Sequence, residues 1–279
     1  MSFLTRTARS IKQLTAFLSI KLNTLKTKFY LRVKGIQVSC KNVSFEGSVK
    51  LEIENSATVV FAEGVKLSNC FIEAGENSKI LIGEGCTIQG MHIKSINGST
   101  IQFQKNVLIE RKEPYISAFT VDNGKLEIGQ DSRIRCSIKV QQGGELKIGK
   151  RSFVNQGSEI RCDNAITIGD YTIISYEVNI FDTNTHSTDW QERHDAIATS
   201  PLHRHIGEPR PATKPIVIGN DCWIGKRAAI LKGVTIGNQS IVAFGAILTT
   251  SIPEKSVAYG NPAQWKKIQA PKPEITHEV

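Results

Sequence analysis

The chain has 279 residues, of which 40% are hydrophobic and 22% charged. That is the make-up of a soluble folded chain with one large domain, or one domain and a small appendage. No apolar run reaches the roughly 18 residues of a membrane span, and residues 1–36 do not carry the uninterrupted apolar stretch of a secretory leader. The formal net charge is +9, yet eight of the 35 basic residues and no acid fall within residues 1–36. The rest is nearly neutral, with 27 basic against 26 acidic residues. A nucleic-acid binder carries its positive charge across the folded surface, so nucleic acid is not an expected partner.

Along residues 1–36, Leu4, Ala8, Ile11, Leu18, Leu22, Leu25 and Phe29 recur at helical spacing, and Leu14 and Phe17 widen the stripe. Lysines and arginines take the other faces, which predicts a basic amphipathic helix. Such a helix can make peripheral contact with an anionic membrane surface. It can equally cap the open end of the domain behind it or pack in an oligomer. Both readings stay open.

From residue 37 the period changes. Ile218, Ile224, Ile230, Ile236, Val242 and Leu248 are six apart, and small residues such as Gly219, Gly225 and Gly237 follow several of them. Upstream, Ile128, Ile134 and Val140 form one set, Ile148, Val154 and Ile160 a second, and Ile168, Ile174 and Ile180 a third. Helices repeat near 3.6 and strands near 2, so a sustained six fits neither alone. It fits short strands joined by tight corners, with one aliphatic per strand turned into a solenoid. An earlier copy is Ile80-Leu-Ile82-Gly83, and Leu51-Glu-Ile53 with Val59 reads as a looser coil. The rhythm breaks at residues 110–122 and, at greater length, at 181–215. Insertions on a solenoid leave as loops, and such loops carry function.

Cys40, Cys70, Cys86, Cys136, Cys162 and Cys222 make no Cys-x-x-Cys pair. They read as small buried thiols in a reducing compartment. His186, His194, His203 and His205 cluster in the long insertion. His203-x-His205 is a chelating spacing, which keeps a metal-dependent lyase of the hexapeptide carbonic anhydrase kind as an alternative. A non-catalytic solenoid scaffold is another.

The text Phe181-Asp-Thr-Asn-Thr-His186, then Ile216-Val-Ile-Gly-Asn-Asp-Cys-Trp-Ile-Gly225, Ile230-Leu-Lys-Gly-Val-Thr-Ile-Gly237, Ile252-Pro253 and Gly260-Asn-Pro-Ala263 resembles the hexapeptide-repeat acyltransferases. The branch it is most similar to acetylates maltose, galactosides and polysaccharides on oxygen. The resemblance is good over 126–268 and generic over 37–110. It implies an all-β fold, a left-handed parallel β-helix over 37–268 with the inserted loop 181–215 within it; the helical segment 1–36 read above precedes it and a tail 269–279 follows. It implies an acetyl-CoA-dependent O-acetyltransferase, homotrimeric, cytoplasmic or at the inner face of the membrane. The acceptor is a sugar hydroxyl, of a cell-surface polysaccharide or its precursor. No metal is expected.

Carried over residue by residue, the resemblance makes His186 the general base, a fitting type because imidazole changes charge nearest neutral pH. Asn155 takes the place of the family asparagine beside the reacting groups, and Asp163 that of the acceptor-binding aspartate. Trp223 flanks acceptor and donor. Phe244, Gly245, Thr249 and Thr250 lie along the pantetheine path. Thr250 and Gln264 stand where the family commonly has a lysine and a phosphate-binding arginine. Lys226, Lys266 and Lys267 are the cations left to meet the donor phosphates.

Overall fold

A computed structural model describes residues 28–33, 38–40, 42–111, 113–114, 117–199 and 211–269. These residues form a parallel β-solenoid of about nine turns that matches the left-handed β-helix. Three ladders run its length. Face A stacks nine strands from Val38–Cys40 to Thr235–Ile236. Face B runs through Thr87–Gln89, Leu108–Glu110, Arg133–Ile134, Phe153–Val154, Ile173–Ile174, Trp223–Ile224 and Ile241–Val242. Face C runs through His92–Ile96, Ala118–Asp122, Ser137–Val140, Glu159–Cys162, Asn179–Phe181, Ala229–Leu231 and Ile247–Leu248. The chain visits A, B and C in turn, so the three edges are AB, BC and CA.

The hexad aliphatics line the interior. Ile128, Ile134, Val140, Ile148, Val154, Ile160, Ile168, Ile174 and Ile180 are all buried, as are Ile218, Ile224, Ile230, Ile236, Val242 and Leu248. Each is one side of a register pair, for example Ile128↔Ile148, Ile148↔Ile168 and Ile168↔Ile218. No coil can enclose its own aliphatics, so stacking is what removes them from water.

The polar groups at edge AB explain how the corners stay satisfied. Ser152 Oγ donates to the Gly169 carbonyl at 2.7 Å, and Thr172 Oγ1 to the Gly219 carbonyl at 2.9 Å. Ser132 and Ser240 do the same one and several coils away. Cys222 Sγ lies 3.3 Å from the Gly237 carbonyl and takes a hydroxyl's place in that ladder. An unmet buried carbonyl would cost about 1–3 kcal/mol, so the small donors are structural.

Glycines at the same edge permit the close stacking. A Cβ on Gly169 would lie 2.6 Å from the Gly219 backbone carbon. The substitution Gly169→Ala therefore forces two coils apart and should cost about 1–3 kcal/mol. A urea unfolding midpoint that stays where it was would sink this account of the corner.

Cys70, Cys86, Cys136, Cys162 and Cys222 are free and buried. Burial pushes the Cys70 thiol up to about 12 and the Cys86 thiol up to about 11.

Two expectations are corrected. The helix expected over 1–36 does not run to its end, because Lys28–Val33 is a strand paired in parallel with residues 48–53. The sequence Lys-Phe-Tyr-Leu-Arg-Val carries aromatic and β-branched residues that suit a strand, and an exposed ladder of backbone groups was there to pair. The rest of that helical reading, residues 1–27 and 34–36, lies outside the described residues, as does the tail from 270. The insertion 181–215 is not irregular throughout either. Trp190–Thr199 is a helix, started by Asp189, whose Oδ1 accepts the Gln191 N–H at 2.8 Å. At the far end, Gln264–Lys267 folds back antiparallel on Ser256–Tyr259.

Candidate active site

Edge BC gathers several of the expected residues by register. Asn155, Ser175 and Gly225 follow one another on successive coils, since the Asn155 N–H meets the Ile174 carbonyl and the Ser175 N–H meets the Ile224 carbonyl, both at 2.9 Å. Gln156, Tyr176, Lys226 and Phe244 form the neighbouring column. Its rungs are Glu177 N–H to Gln156 O, Arg227 N–H to Tyr176 O and Gly245 N–H to Lys226 O. Asn155, Lys226, Phe244 and Gly245 thus share one edge, which the Trp223 indole reaches from face B.

The chemistry of that edge is amphipathic. Trp223 and Phe244 are 52% and 66% exposed, and Ile173 lies beside Trp223 on face B. The Trp223 indole is held by a 3.2 Å hydrogen bond from Nε1 to Ser175 Oγ. Asn155 is buried, yet its Oδ1 makes no hydrogen bond among the described residues, and neither does Gln156 Oε1. Buried amide oxygens are normally satisfied, so this edge has acceptor capacity to offer a donor group.

Edge CA carries the insertion that bears His186. The insertion leaves the prism at Asp182 and its root is zipped. Thr183 bridges Thr213, the Asn184 N–H meets the Ala212 carbonyl at 3.1 Å, and the Lys214 N–H meets the Asp182 carbonyl at 2.9 Å. His186 lies three residues beyond that bridge and is exposed. Just past it, Arg193 Nη1 donates to the Ser187 carbonyl at 2.8 Å, and Ser187 Oγ donates to Glu192. These bonds tie the segment bearing His186 to the helix Trp190–Thr199.

Under the loop root lies a buried carboxylate that sequence reasoning quoted in the motif and gave no role. Asp182 accepts the backbone N–H groups of Asp163 and Asn164 at 2.8 and 2.9 Å. Burial pushes its carboxyl above the usual carboxylate range, against the pull of those two N–H donors. The neighbouring Cys162 thiol is also pushed up, first by burial and then by Asp182. An Asp directly after a strand at a corner was the available sequence signal. Asp163 itself is enclosed. Arg161 reaches its two oxygens at 3.3 Å each, and Gln141 Nε2 lies 3.5 Å from Oδ2.

Other expected residues fall elsewhere. Thr249 and Thr250 follow the face C strand Ile247–Leu248 and so belong to edge CA, not to the Trp223 edge. Lys267 Nζ donates to the Glu254 carbonyl at 2.6 Å, beside edge AB. Lys226 Nζ is 3.7 Å from Glu177, which also binds Arg227. Lys266 Nζ sits 5.8 Å over the Tyr259 ring. Sequence reasoning also missed a cluster on the two coils preceding Asn155. Buried Glu110 there accepts from Arg135 at 2.8 Å and from Arg133, and both guanidiniums lie over the Phe153 ring.

Among the described residues no group of three or more His, Cys, Asp and Glu side chains could hold a metal ion. His203 and His205 lie outside those residues. Among the described residues no helix is long and apolar enough to cross a membrane.

A bacterial transferase hexapeptide (six repeats) family model matches residues 215–250. Galactoside O-acetyltransferase of Escherichia coli (strain K12) is 26% identical over 181 residues, covering 63% of this chain and 79% of that enzyme. A Staphylococcus aureus (strain COL) protein provisionally named as an acetyltransferase, SACOL2570, is 31% identical over 158 residues, covering 56% of this chain and 68% of its own. A hexapeptide-repeat acetyltransferase of Vibrio cholerae O1 biovar eltor, solved with acetyl coenzyme A, is 26% identical, covers 54% of this chain and 73% of its own, and superposes with a TM-score of 0.43. The chain belongs to the hexapeptide-repeat transferase family, and its relatives are named acetyltransferases.

Proposed function

We propose that the protein transfers acetyl from acetyl-CoA to a hydroxyl of a carbohydrate. The observation that carries this reading is the similarity to galactoside O-acetyltransferase across 79% of that enzyme. The edge shared by Asn155, Lys226, Phe244 and Gly245, which the Trp223 indole reaches, supports it. An extended pantetheine arm needs exposed apolar surface and open backbone, and Gly245 supplies the latter, with nothing within 4 Å of where a Cβ would stand.

In the proposed step His186 takes the proton of the acceptor hydroxyl. The oxygen attacks the thioester carbonyl carbon, and the oxyanion is steadied by neighbouring N–H donors. The tetrahedral centre collapses, the carbon–sulfur bond breaks, and the proton passes to the coenzyme A thiolate. Asn155 orients donor or acceptor through its side-chain amide, and Asp163 orients Arg161 and Gln141 towards the acceptor. Direct attack is favoured over an acyl-enzyme because Cys70, Cys86, Cys136, Cys162 and Cys222 are buried and burial raises their thiols' pKa.

His186 and the Trp223 indole lie at different edges of the prism. We infer that a site holding both is completed between copies, consistent with a trimer. The test is release of free coenzyme A thiol from acetyl-CoA, measured with galactosides, maltose and longer glycans as acceptors. Acceptor-dependent release with acetyl on oxygen is the expected result. Acetyl-CoA binding that fails, or stoichiometric metal with lyase activity, would overturn it.

A further inference from the structure

Upstream of the loop root, edge CA holds an open groove of about 540 Å³ lined by Asn97, Asp122, Asn123, Gln141 and Gln142. Nothing in the sequence signal singled out these residues. The groove leads straight to the candidate site, since Gln141 Nε2 reaches Asp163, and Asp163 sits on Asp182 at the loop root. We propose that this groove binds further rings of a neutral glycan, so that the acceptor is a chain and not a single sugar. This deepens the acetyltransferase reading and rests on it.

Three observations point this way. First, the lining is amide and carboxylate with no aliphatic side chain. Amides both donate and accept, as sugar hydroxyls require. Second, Asn123 and Gln142 make no side-chain hydrogen bond among the described residues, whereas Asn97 is spent on Asp122 at 2.6 Å. The free amides are the central ones. Third, the lining spans three successive coils, from Asn97 through Asn123 to Gln142. Two strand spacings of about 4.8 Å each make about 10 Å, longer than any one sugar ring. The lining holds one carboxylate and no cation, so an uncharged chain is accommodated better than an anionic one.

The test uses the full chain with coenzyme A on an array of immobilised neutral and sialic-acid-containing glycans, from one ring to six. Asn123 and Gln142 have φ of 49° and 59°, so each is changed to glycine, which keeps that backbone conformation while removing the amide. The expected result is retention that rises with neutral chain length. In the Asn123→Gly, Gln142→Gly double variant, retention of chains of three or more rings falls at least tenfold. Its unfolding midpoint, single-ring binding and acetyl-CoA affinity stay as in the parent. Equal retention of short and long chains, preference for anionic chains, no glycan retained, or indifference to the double variant would each overturn the proposal. Calorimetry with acetyl-CoA on the same samples separates the two readings. Donor binding without chain preference removes only the groove, whereas no donor binding removes both.

Discussion

Changing His186 to alanine is expected to lower kcat for acetyl transfer by about 10²–10⁴-fold, the usual contribution of a positioned acid–base group. KM for acetyl-CoA and the unfolding midpoint should barely move. His186 is exposed, and Thr183–Thr213, Asn184–Ala212 and Arg193–Ser187 hold its segment. Removing the imidazole leaves that scaffold intact, and single-turnover rates report the proton transfer apart from binding. Asp182→Ala is the contrasting variant. It strips the acceptor from two backbone N–H groups at the loop root, so it should lower stability as well as turnover. Equal kcat in His186→Ala and parent would remove the proposed base while leaving the fold untouched.

The solenoid was legible in the sequence because its physics is one-dimensional. Every buried Ile at the sixth position must meet its counterpart one coil on, so Ile148, Ile168 and Ile218 announce both the strand and its partner. Corner identity was legible for the same reason, as at Gly169. What the spacing could not convey was which edge a residue occupies once coils lengthen. Asn155 and Phe244 are 89 positions apart yet share edge BC, whereas Thr249, five residues after Phe244, has turned to edge CA. The resemblance supplied a list of site residues without that partition. The strand Lys28–Val33 was hidden because its apolar residues also continue a helical stripe, and only the unpaired ladder of residues 48–53 decides between the two. Asp182 was hidden for another reason. A carboxylate in a polar motif reads as surface until its backbone partners, Asp163 and Asn164, are seen to lie over it.

The same limit applies to Glu110, which sits in a stretch that breaks the rhythm and carries no motif. Its carboxylate is buried, with side-chain exposure of 5%, between Arg135 at 14% and Arg133 at 42%. Glu110→Ala is expected to cost about 3 kcal/mol, because removing one member of a buried ion pair leaves the other desolvated and unmatched. The estimate sits at the lower end of the usual range since Arg133 can turn to water. The neighbouring pair Arg111–Glu113 is a fair control, with Glu113 78% exposed, and Glu113→Ala should cost no more than about 0.5 kcal/mol. Urea denaturation of the two variants decides the matter, and equal midpoints would mean that the Glu110 cluster holds nothing. The consequence reaches the site through register. The Arg135 N–H binds the Val154 carbonyl at 2.9 Å, directly before Asn155, and both guanidiniums cover Phe153, one coil above Ile173 and two above Trp223. A chain that has lost Glu110 should therefore also bind acetyl-CoA more weakly, although Glu110 lies two coils from Asn155.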